Sequence, residues 1–422
     1  MSAPSTNKPA YDTQGYRGLT DLLRPEVLSD PYPLYRRLRE EDPVHWDPYL
    51  HSWVVTKYAD VVTVLRDFSA ARTPTPAYLE SIGLGELSPV AEVMVKQMLF
   101  LDPPDHARVR SLASQAFSPQ RMAKLRTHVR EVVRQLLANS ATGGKMEVMH
   151  DLAEPLPYVI SAEMLGTPVE DAPRLKNWSR DFAEMLGNFQ HNPDRAQQVR
   201  KSVEEMCQYF QAAIEESRCR PREGLVHSFA TAAVGADRFT EKEIVANVIV
   251  TMVGGQETTT NLIGNGMLTL LRKPEEMQRL KKNPVLIPSA IEEMLRFEPP
   301  SHYTARLAPE DLTMGGVRIG KRQAVIAVMA AANRDPDRFP EPDAFDIARI
   351  DNRHLSFGWA AHYCFGAALA RIEAQETFEE LLGQYANFSL DTDTLRWREN
   401  LGLRGLAALP VKLEQESSRA TP

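Results

Sequence analysis

The chain has 422 residues, 43% of them hydrophobic and 25% charged, enough to bury a sizeable core beneath an ordinary polar surface. Lys and Arg number 49 against 56 Asp and Glu, a formal net charge of −7, so the basic excess of a nucleic-acid binder is missing, although local basic clusters could still dock a small acidic protein. Three cysteines, Cys207, Cys219 and Cys364, make no disulfide framework and point to a reducing cytoplasm.

Residues 1–18 and 415–422 read as polar tails, and 19–414 as one domain between them. Met1–Tyr16 lacks the apolar run of a signal peptide. Val44–Asp47 and Ser52–Thr56 predict short strands about a turn at 48–51, before a helix near Ala59–Asp67. Helical periodicity dominates residues 105–300. Its clearest helix opens at Thr240-x-x-Glu243, a capping box, and its pattern reaches Lys273, just ahead of Pro274. That is about 33 residues, or roughly 50 Å, which crosses a whole domain. The most apolar part, Val245–Val253, is too short to span a bilayer. From residue 303 the pattern turns strand-like: Leu312–Met314, Val317–Ile319 and Ala324–Val328, with Gly315-Gly316 as a tight turn. A last helix follows Cys364, and 405–413 is extended again. The fold class expected is mainly α with a smaller β-rich part.

Two stretches carry unusual chemistry. In His354-Leu-Ser-Phe357-Gly358-Trp-Ala360-Ala-His362-Tyr-Cys364-Phe-Gly366, a loop of small residues delivers one cysteine to the start of a helix. The partial positive charge and free N–H groups there favour a thiolate, and Gly366 leaves room beside the sulfur for something flat and bulky. A buried, inert thiol is the competing reading. Zinc is disfavoured, since no second Cys or His stands at ligand spacing. The other stretch is Gly254-Gly255-Gln256-Glu257-Thr258-Thr259 within the long helix, where each glycine costs about 1 kcal/mol relative to Ala. Close approach of a ligand, a kink, or plain helix–helix contact with Glu257 in solvent would each compensate.

The cysteine segment resembles the cysteine-loop signature of the cytochrome P450 family: Phe357, Gly358, His362, Cys364 and Gly366 match, and Ala360 stands where that family usually has Gly. The glycine stretch is similar to the family's acid–alcohol motif through Gly254, Gly255, Glu257 and Thr258. Glu293-x-x-Arg296, with Arg349 downstream, resembles a structural triad of the same family, as does Asn333-Arg-Asp-Pro336. The likeness spans about residues 25–413 in order and spacing.

This resemblance implies haem b held between the long distal helix and the cysteine-ligand helix, with Cys364 as axial thiolate to the iron. His106, Arg110, Arg306 and His362 would hold the propionates, with Phe357 in the cysteine loop. The helix would open at Gly254 and Gly255 to admit O2, Thr258 would assist its activation, and Glu257 would relay protons. Glu293, Arg296 and Arg349 would serve folding. The implied activity is monooxygenation, with coupling or cyclisation as variants, driven by NAD(P)H through a separate ferredoxin or flavodoxin and its reductase. Arg108, Arg110 and Arg353 are candidate docking contacts for that donor. A non-catalytic haem-thiolate sensor or carrier is the rival class, and the Glu257–Thr258 pair argues against it. The expected substrate is an apolar, natural-product-like molecule, free or tethered to a carrier protein. Its pocket is expected from 72–95 and from Phe182, Met185, Phe189, Val250, His302, Tyr303 and Leu401; the 182–189 stripe also reads as plain core. A cytoplasmic monomer is expected, without membrane or nucleic-acid partners.

Overall fold

The computed structural model describes residues 18–117, 119–140, 143–187 and 193–415, so the expected tails fall almost wholly outside it. Among the described residues the helices of ten residues or more are α1 (Tyr32–Glu41), α2 (Tyr58–Asp67), α3 (Asp105–Ser114), α4 (Pro119–Ser140), α5 (Pro155–Leu165), α6 (Ala172–Gly187), α7 (Pro193–Cys219), α8 (Glu241–Arg272), α9 (Ile287–Phe297) and α10 (Ala367–Gln384). The strands are β1 (Val44–Asp47), β2 (Ser52–Val55), β3 (Lys145–Glu147), β4 (Thr304–Leu307), β5 (Leu312–Met314), β6 (Val317–Ile319), β7 (Ala324–Ala327), β8 (Tyr385–Leu390), β9 (Arg396–Trp397), β10 (Leu406–Ala408) and β11 (Pro410–Gln415).

Helix α8 starts where the capping box predicts. The Thr240 hydroxyl accepts from the Glu243 backbone N–H at 3.3 Å, and the Glu243 carboxylate accepts from the Thr240 N–H at 2.8 Å. The helix then runs unbroken for 32 residues, through both glycines. The expected opening is therefore a gap in side chains, not a break in the helix: a Cβ at Gly254 would meet nothing within 4 Å. Farther along, a Cβ at Gly266 would stand 2.7 Å from the Met294 sulfur, so this glycine lets α9 approach closely. Helix α9 offers α8 and α10 one apolar face, Ile287, Ala290, Ile291, Met294 and Leu295, all buried at the spacing of one helical stripe. Each large side chain so buried contributes about 1.5–3 kcal/mol.

Four strands form a sheet in the order β1-β2-β7-β4, with β2 parallel to β7 and the other pairs antiparallel. Strand β2 is buried at every position, Trp53, Val54 and Val55 included, which is why its sequence shows no polar alternation. Strand β4, at one end of this sheet, carries Arg306. Hairpin β5–β6 turns at Gly315 and Gly316, both at positive φ. Strands β3, β11 and β8 make a second sheet, and β9 pairs with β10. No helix among the described residues is long and apolar enough to cross a membrane.

Candidate active site

A cavity of about 1070 Å³ lies between α8, the cysteine loop and the segment after α2. Gly254, Gly255, Glu257 and Thr258 line one side, and Phe357, His362 and Cys364 another. His106 and Arg110 come to it from α3, and Arg306 from β4. The sequence-predicted residues thus meet although up to 258 positions separate them, from His106 to Cys364 (364 minus 106).

The cysteine loop is tied down at many points. The Cys364 N–H donates to the Phe357 carbonyl at 2.7 Å, and the Gly358 N–H to that of Leu355 at 2.8 Å. Asn333 grips the loop through the Leu355 N–H at 2.7 Å and the Ser356 hydroxyl at 2.8 Å. Arg371, one turn into α10, forks onto Glu292 of α9 with two bonds of 2.7 Å and stacks 4.5 Å over the Phe357 ring. Burial works to raise the Glu292 pKa, but hydrogen bonds from Arg371 and His354 prevail and bring it down to about 2. Ala360 adopts φ +54°, a left-handed conformation that costs a non-glycine residue roughly 1–2 kcal/mol. Cys364 lines the cavity. Burial pushes its pKa up, while the Gly366 and Ala367 N–H groups, Arg110 and Arg371 pull the other way. A Cβ at Gly366 would meet nothing within 4 Å, so the room predicted beside the sulfur is there.

One edge of the cavity gathers cations. The His106 and His362 rings lie 4.1 Å apart. Burial, then Arg110, depresses the His106 pKa; burial, then Arg306, brings His362 down to about 3. Arg306 is itself lowered to about 10 by burial. Nε2 of His106 and Nε of Arg306 are buried with no hydrogen-bond partner among the described residues. Such a cluster is unstable by itself and suits a bound polyanion.

Glu257 is buried, and both its carboxylate oxygens are engaged: one accepts from the Tyr158 hydroxyl at 2.8 Å and the other from Arg398 at 2.7 Å. Arg398 also pairs with Glu154, which takes Lys176 at 2.9 Å. The Thr258 hydroxyl donates to the Gly254 carbonyl at 2.7 Å. Glu373, on α10, also lines the cavity, and burial raises its pKa to about 8 against an opposing hydrogen bond with Thr259.

Among the expected pocket residues, Val250 and Tyr303 line the cavity. Three do not. Phe182 is fully buried in the main core, because α6 turns that face onto its neighbours. Leu401 packs into the cluster around α1, and the cavity wall there is Gly402 and Leu403. His302 sits behind the wall, its Nδ1 2.7 Å from the Tyr35 hydroxyl, while its neighbours Ser301 and Tyr303 face in. The side chain of Met185 and the whole of Phe189 lie outside the described residues. Of the docking candidates, Arg108 is paired with Glu243 and Arg110 faces the cavity; Arg353 is the exposed one. Sequence reasoning missed Tyr158, Arg371, Arg398 and Glu373. Only Arg371 had a signal, its place seven residues beyond the cysteine.

A family model described as Cytochrome P450 matches residues 85–412, which is most of the chain and contains Cys364, the α8 glycines and the Glu293–Arg296 pair. The chain belongs to the cytochrome P450 family. It is 37% identical over 392 residues to the biotin biosynthesis cytochrome P450 of Bacillus subtilis (strain 168), covering 92% of this P450 and 98% of that one. It is 33% identical over 400 residues to the polyketide biosynthesis cytochrome P450 PksS of the same organism, covering 92% and 97%. The solved structure of P450BioI in complex with hexadec-9Z-enoic acid ligated acyl carrier protein matches this P450 with TM-score 0.86 and 34% identity, over 92% and 99% of the two chains.

This P450 is therefore a haem-dependent monooxygenase with the P450 fold. The cavity suits that cofactor. A flat macrocycle with two carboxylates at one edge would fill the space between α8 and Cys364, and those carboxylates would satisfy the unpaired His106 and Arg306 nitrogens.

Proposed function

We propose that this P450 inserts one oxygen atom from O2 into an apolar, natural-product-like molecule. Electrons would originate on NAD(P)H and arrive through a separate ferredoxin or flavodoxin. The observation that carries the reading is the convergence on one cavity of the Cys364 thiol, a cation-rich edge and the Glu257–Thr258 pair. Ligated by a thiolate, haem supplies the oxidising power for attack on an unactivated carbon. In this assignment Cys364 would ligate the haem iron, and His106, Arg110, Arg306 and His362 would hold the propionates. Gly254, lacking a side chain, leaves the cavity open at that point.

Thr258 holds a proton at the open face, its hydroxyl oriented by the Gly254 carbonyl. Glu257 relays protons to it on release from Arg398, which holds one of its carboxylate oxygens while the Tyr158 hydroxyl holds the other. The walls away from the cation edge, among them Leu79, Leu84, Val90, Met98 and Val250, are apolar and favour a hydrocarbon-rich substrate. A long acyl chain on a carrier protein is the form favoured by the likeness to the acyl-carrier-bound structure.

The test has two parts. Reduced protein with CO should show the red-shifted Soret band of thiolate ligation, and Cys364→Ser should lose it; a band that survives in the variant removes Cys364 as ligand. Thr258→Ala should divert NADPH consumption into peroxide, and tight coupling in that variant overturns the role given to the hydroxyl. An optical titration with free and carrier-linked acyl chains, terpenoids and macrolides then sorts the substrates by which of them blue-shifts the ferric band.

A further inference from the structure

Behind the cavity wall lies a phenol–imidazole pair that the oxygen chemistry above does not use. Helix α1 carries Tyr32 and Tyr35 three residues apart, hence on one face, and that face packs on the segment leading into β4. His302, in that segment, is fixed by its backbone: its N–H donates to the Gly402 carbonyl at 2.9 Å, and its carbonyl accepts from the Ala330 N–H at 3.0 Å. The Tyr35 hydroxyl and His302 Nδ1 stand 2.7 Å apart, and both residues are buried. The next residue, Tyr303, lines the cavity and is near enough to Tyr35 to disfavour charge on its phenol. Tyr32 continues the cluster, its ring 6.0 Å from that of Tyr35 and its hydroxyl donating to Glu298 at 3.0 Å.

The inventory of protons fixes the direction of the central bond. Nε2 of His302 is buried with no partner among the described residues. With the ring proton on Nε2, the Tyr35 O–H donates to the Nδ1 lone pair and one N–H is left orphaned. With the proton on Nδ1, both the Tyr35 O–H and the Nε2 lone pair are orphaned, so the first arrangement costs less. Burial, then Arg404 and Arg334, hold the His302 pKa well below its ordinary value, so the ring is neutral. Tyr35 does not simply ionise, because burial pushes its own pKa well up. A phenol that has given up an electron is, however, a strong acid, and a neutral imidazole at hydrogen-bond distance takes its proton. The same burial that resists an imidazolium sends the proton back once the electron is restored.

We infer that Tyr35 with His302 is a redox site, a tyrosine that gives an electron to the haem when oxidising equivalents stand there and no substrate is attacked. This goes beyond the oxygenation reading and rests on haem in the cavity. In the forward step the Tyr35 O–H bond breaks; the electron goes to the haem and the proton to Nδ1, leaving a neutral phenoxyl radical and an imidazolium. In the return step one electron from a reductant, such as the electron-donor protein, and the proton from Nδ1 restore the pair. Two such rounds discharge one peroxide: with two electrons from the reductant and two protons from solvent it becomes two waters. Met94 and Met98 line the cavity and are oxidisable side chains that this discharge spares.

The experiment mixes ferric, haem-loaded protein with hydrogen peroxide in the absence of substrate and freezes it for electron paramagnetic resonance. Protein grown on ring-deuterated tyrosine identifies a tyrosyl signal by its narrowing. Wild type should show that signal, and Tyr35→Phe, which keeps the ring and its packing, should lose it. The same variant should gain sulfoxide at Met94 and Met98, read by peptide mass spectrometry. His302→Gln should lose the signal as well, since an amide accepts the hydrogen bond but not the proton; a purely structural contact would leave the signal in place. A tyrosyl signal of wild-type size in Tyr35→Phe, or none in a wild type that consumes peroxide, overturns the inference. Should Tyr35→Phe fail to fold, His302→Gln carries the test, and an undiminished signal there overturns it. A wild-type protein that holds no haem would instead defeat the reading of the cavity itself.

Discussion

Replacing Arg296 by Leu should be among the most damaging single changes in this P450. The Arg296 and Glu293 side chains are completely buried. Arg296 forks onto Glu293 with bonds of 2.8 and 2.7 Å and donates to the carbonyls of Asn333 at 3.0 Å, Pro342 at 2.7 Å and Ala344 at 2.7 Å. Leucine fills part of the volume but leaves a buried carboxylate held by Arg349 at 3.2 Å, by Asn352 at 3.1 Å and by the Asp346 N–H at 3.0 Å. Breaking one partner of a buried pair costs about 3–5 kcal/mol, against a total stability of about 5–15 kcal/mol. Arg349→Gln removes a longer, partly accessible contact and should cost about 1–2 kcal/mol. The double variant Glu293→Leu/Arg296→Leu leaves no orphaned carboxylate, so its cost should fall below the sum of the two singles by about 1–3 kcal/mol. Urea unfolding of the haem-loaded protein, followed by far-UV circular dichroism and compared at a common slope, reads these variants together with the Glu293→Leu single. A loss below about 1 kcal/mol for Arg296→Leu, or strict additivity in the double variant, would falsify the account of this pair as a mutually dependent buried unit.

Ala360→Gly should raise stability: relief of the left-handed strain, roughly 1–2 kcal/mol, exceeds the added unfolded-state freedom of about 0.4–1 kcal/mol, so melting should rise by about 1–2 °C. A lower melting temperature would show that the loop tolerates the methyl without strain. Glu373 has its carboxyl pKa raised from 4.5 to about 8, so its contribution is fully present below pH 4.5 and is lost as the pH rises through about 8. Wild-type melting should therefore decline across that interval, while Glu373→Gln should be flatter and more stable at pH 8–9; equal slopes would place no buried acid there. Glu292 behaves in the opposite sense. Its pKa is depressed from 4.5 to about 2, so the stability it gives is present above pH 4.5 and fades as the pH falls toward 2. Between pH 3 and 5, Glu292→Gln should start less stable and lose less on acidification than the wild type, and parallel acid profiles would contradict the Arg371 and His354 bonds as the cause.

Local sequence determined much of this protein. The capping box set the first turn of α8, the turn at 48–51 marked β1, the Gly315-Gly316 pair set the hairpin between β5 and β6, and the Phe357–Gly366 spacing marked the cysteine loop. These are interactions between residues a few positions apart, so their pattern is written in consecutive letters. What only the tertiary structure decided concerns partners distant in the chain. Arg398 reaches Glu257 across 141 positions and Tyr158 reaches it across 99, and nothing local to α8 indicates that its acid is held from two sides. Phe182 and His302 carried the right residue types for a pocket, yet the orientation of one helix face and of the segment leading into β4 turned them into the core. Arg72 opens the segment expected to line the pocket, but only the packed chain ties the stretch just before it to the end of β4, through the Ser69–Leu307 bridge, and to Asp102. Burial and the meeting of like charges belong to the packed chain, and they alone distinguish a solvated arginine from one that requires an anion.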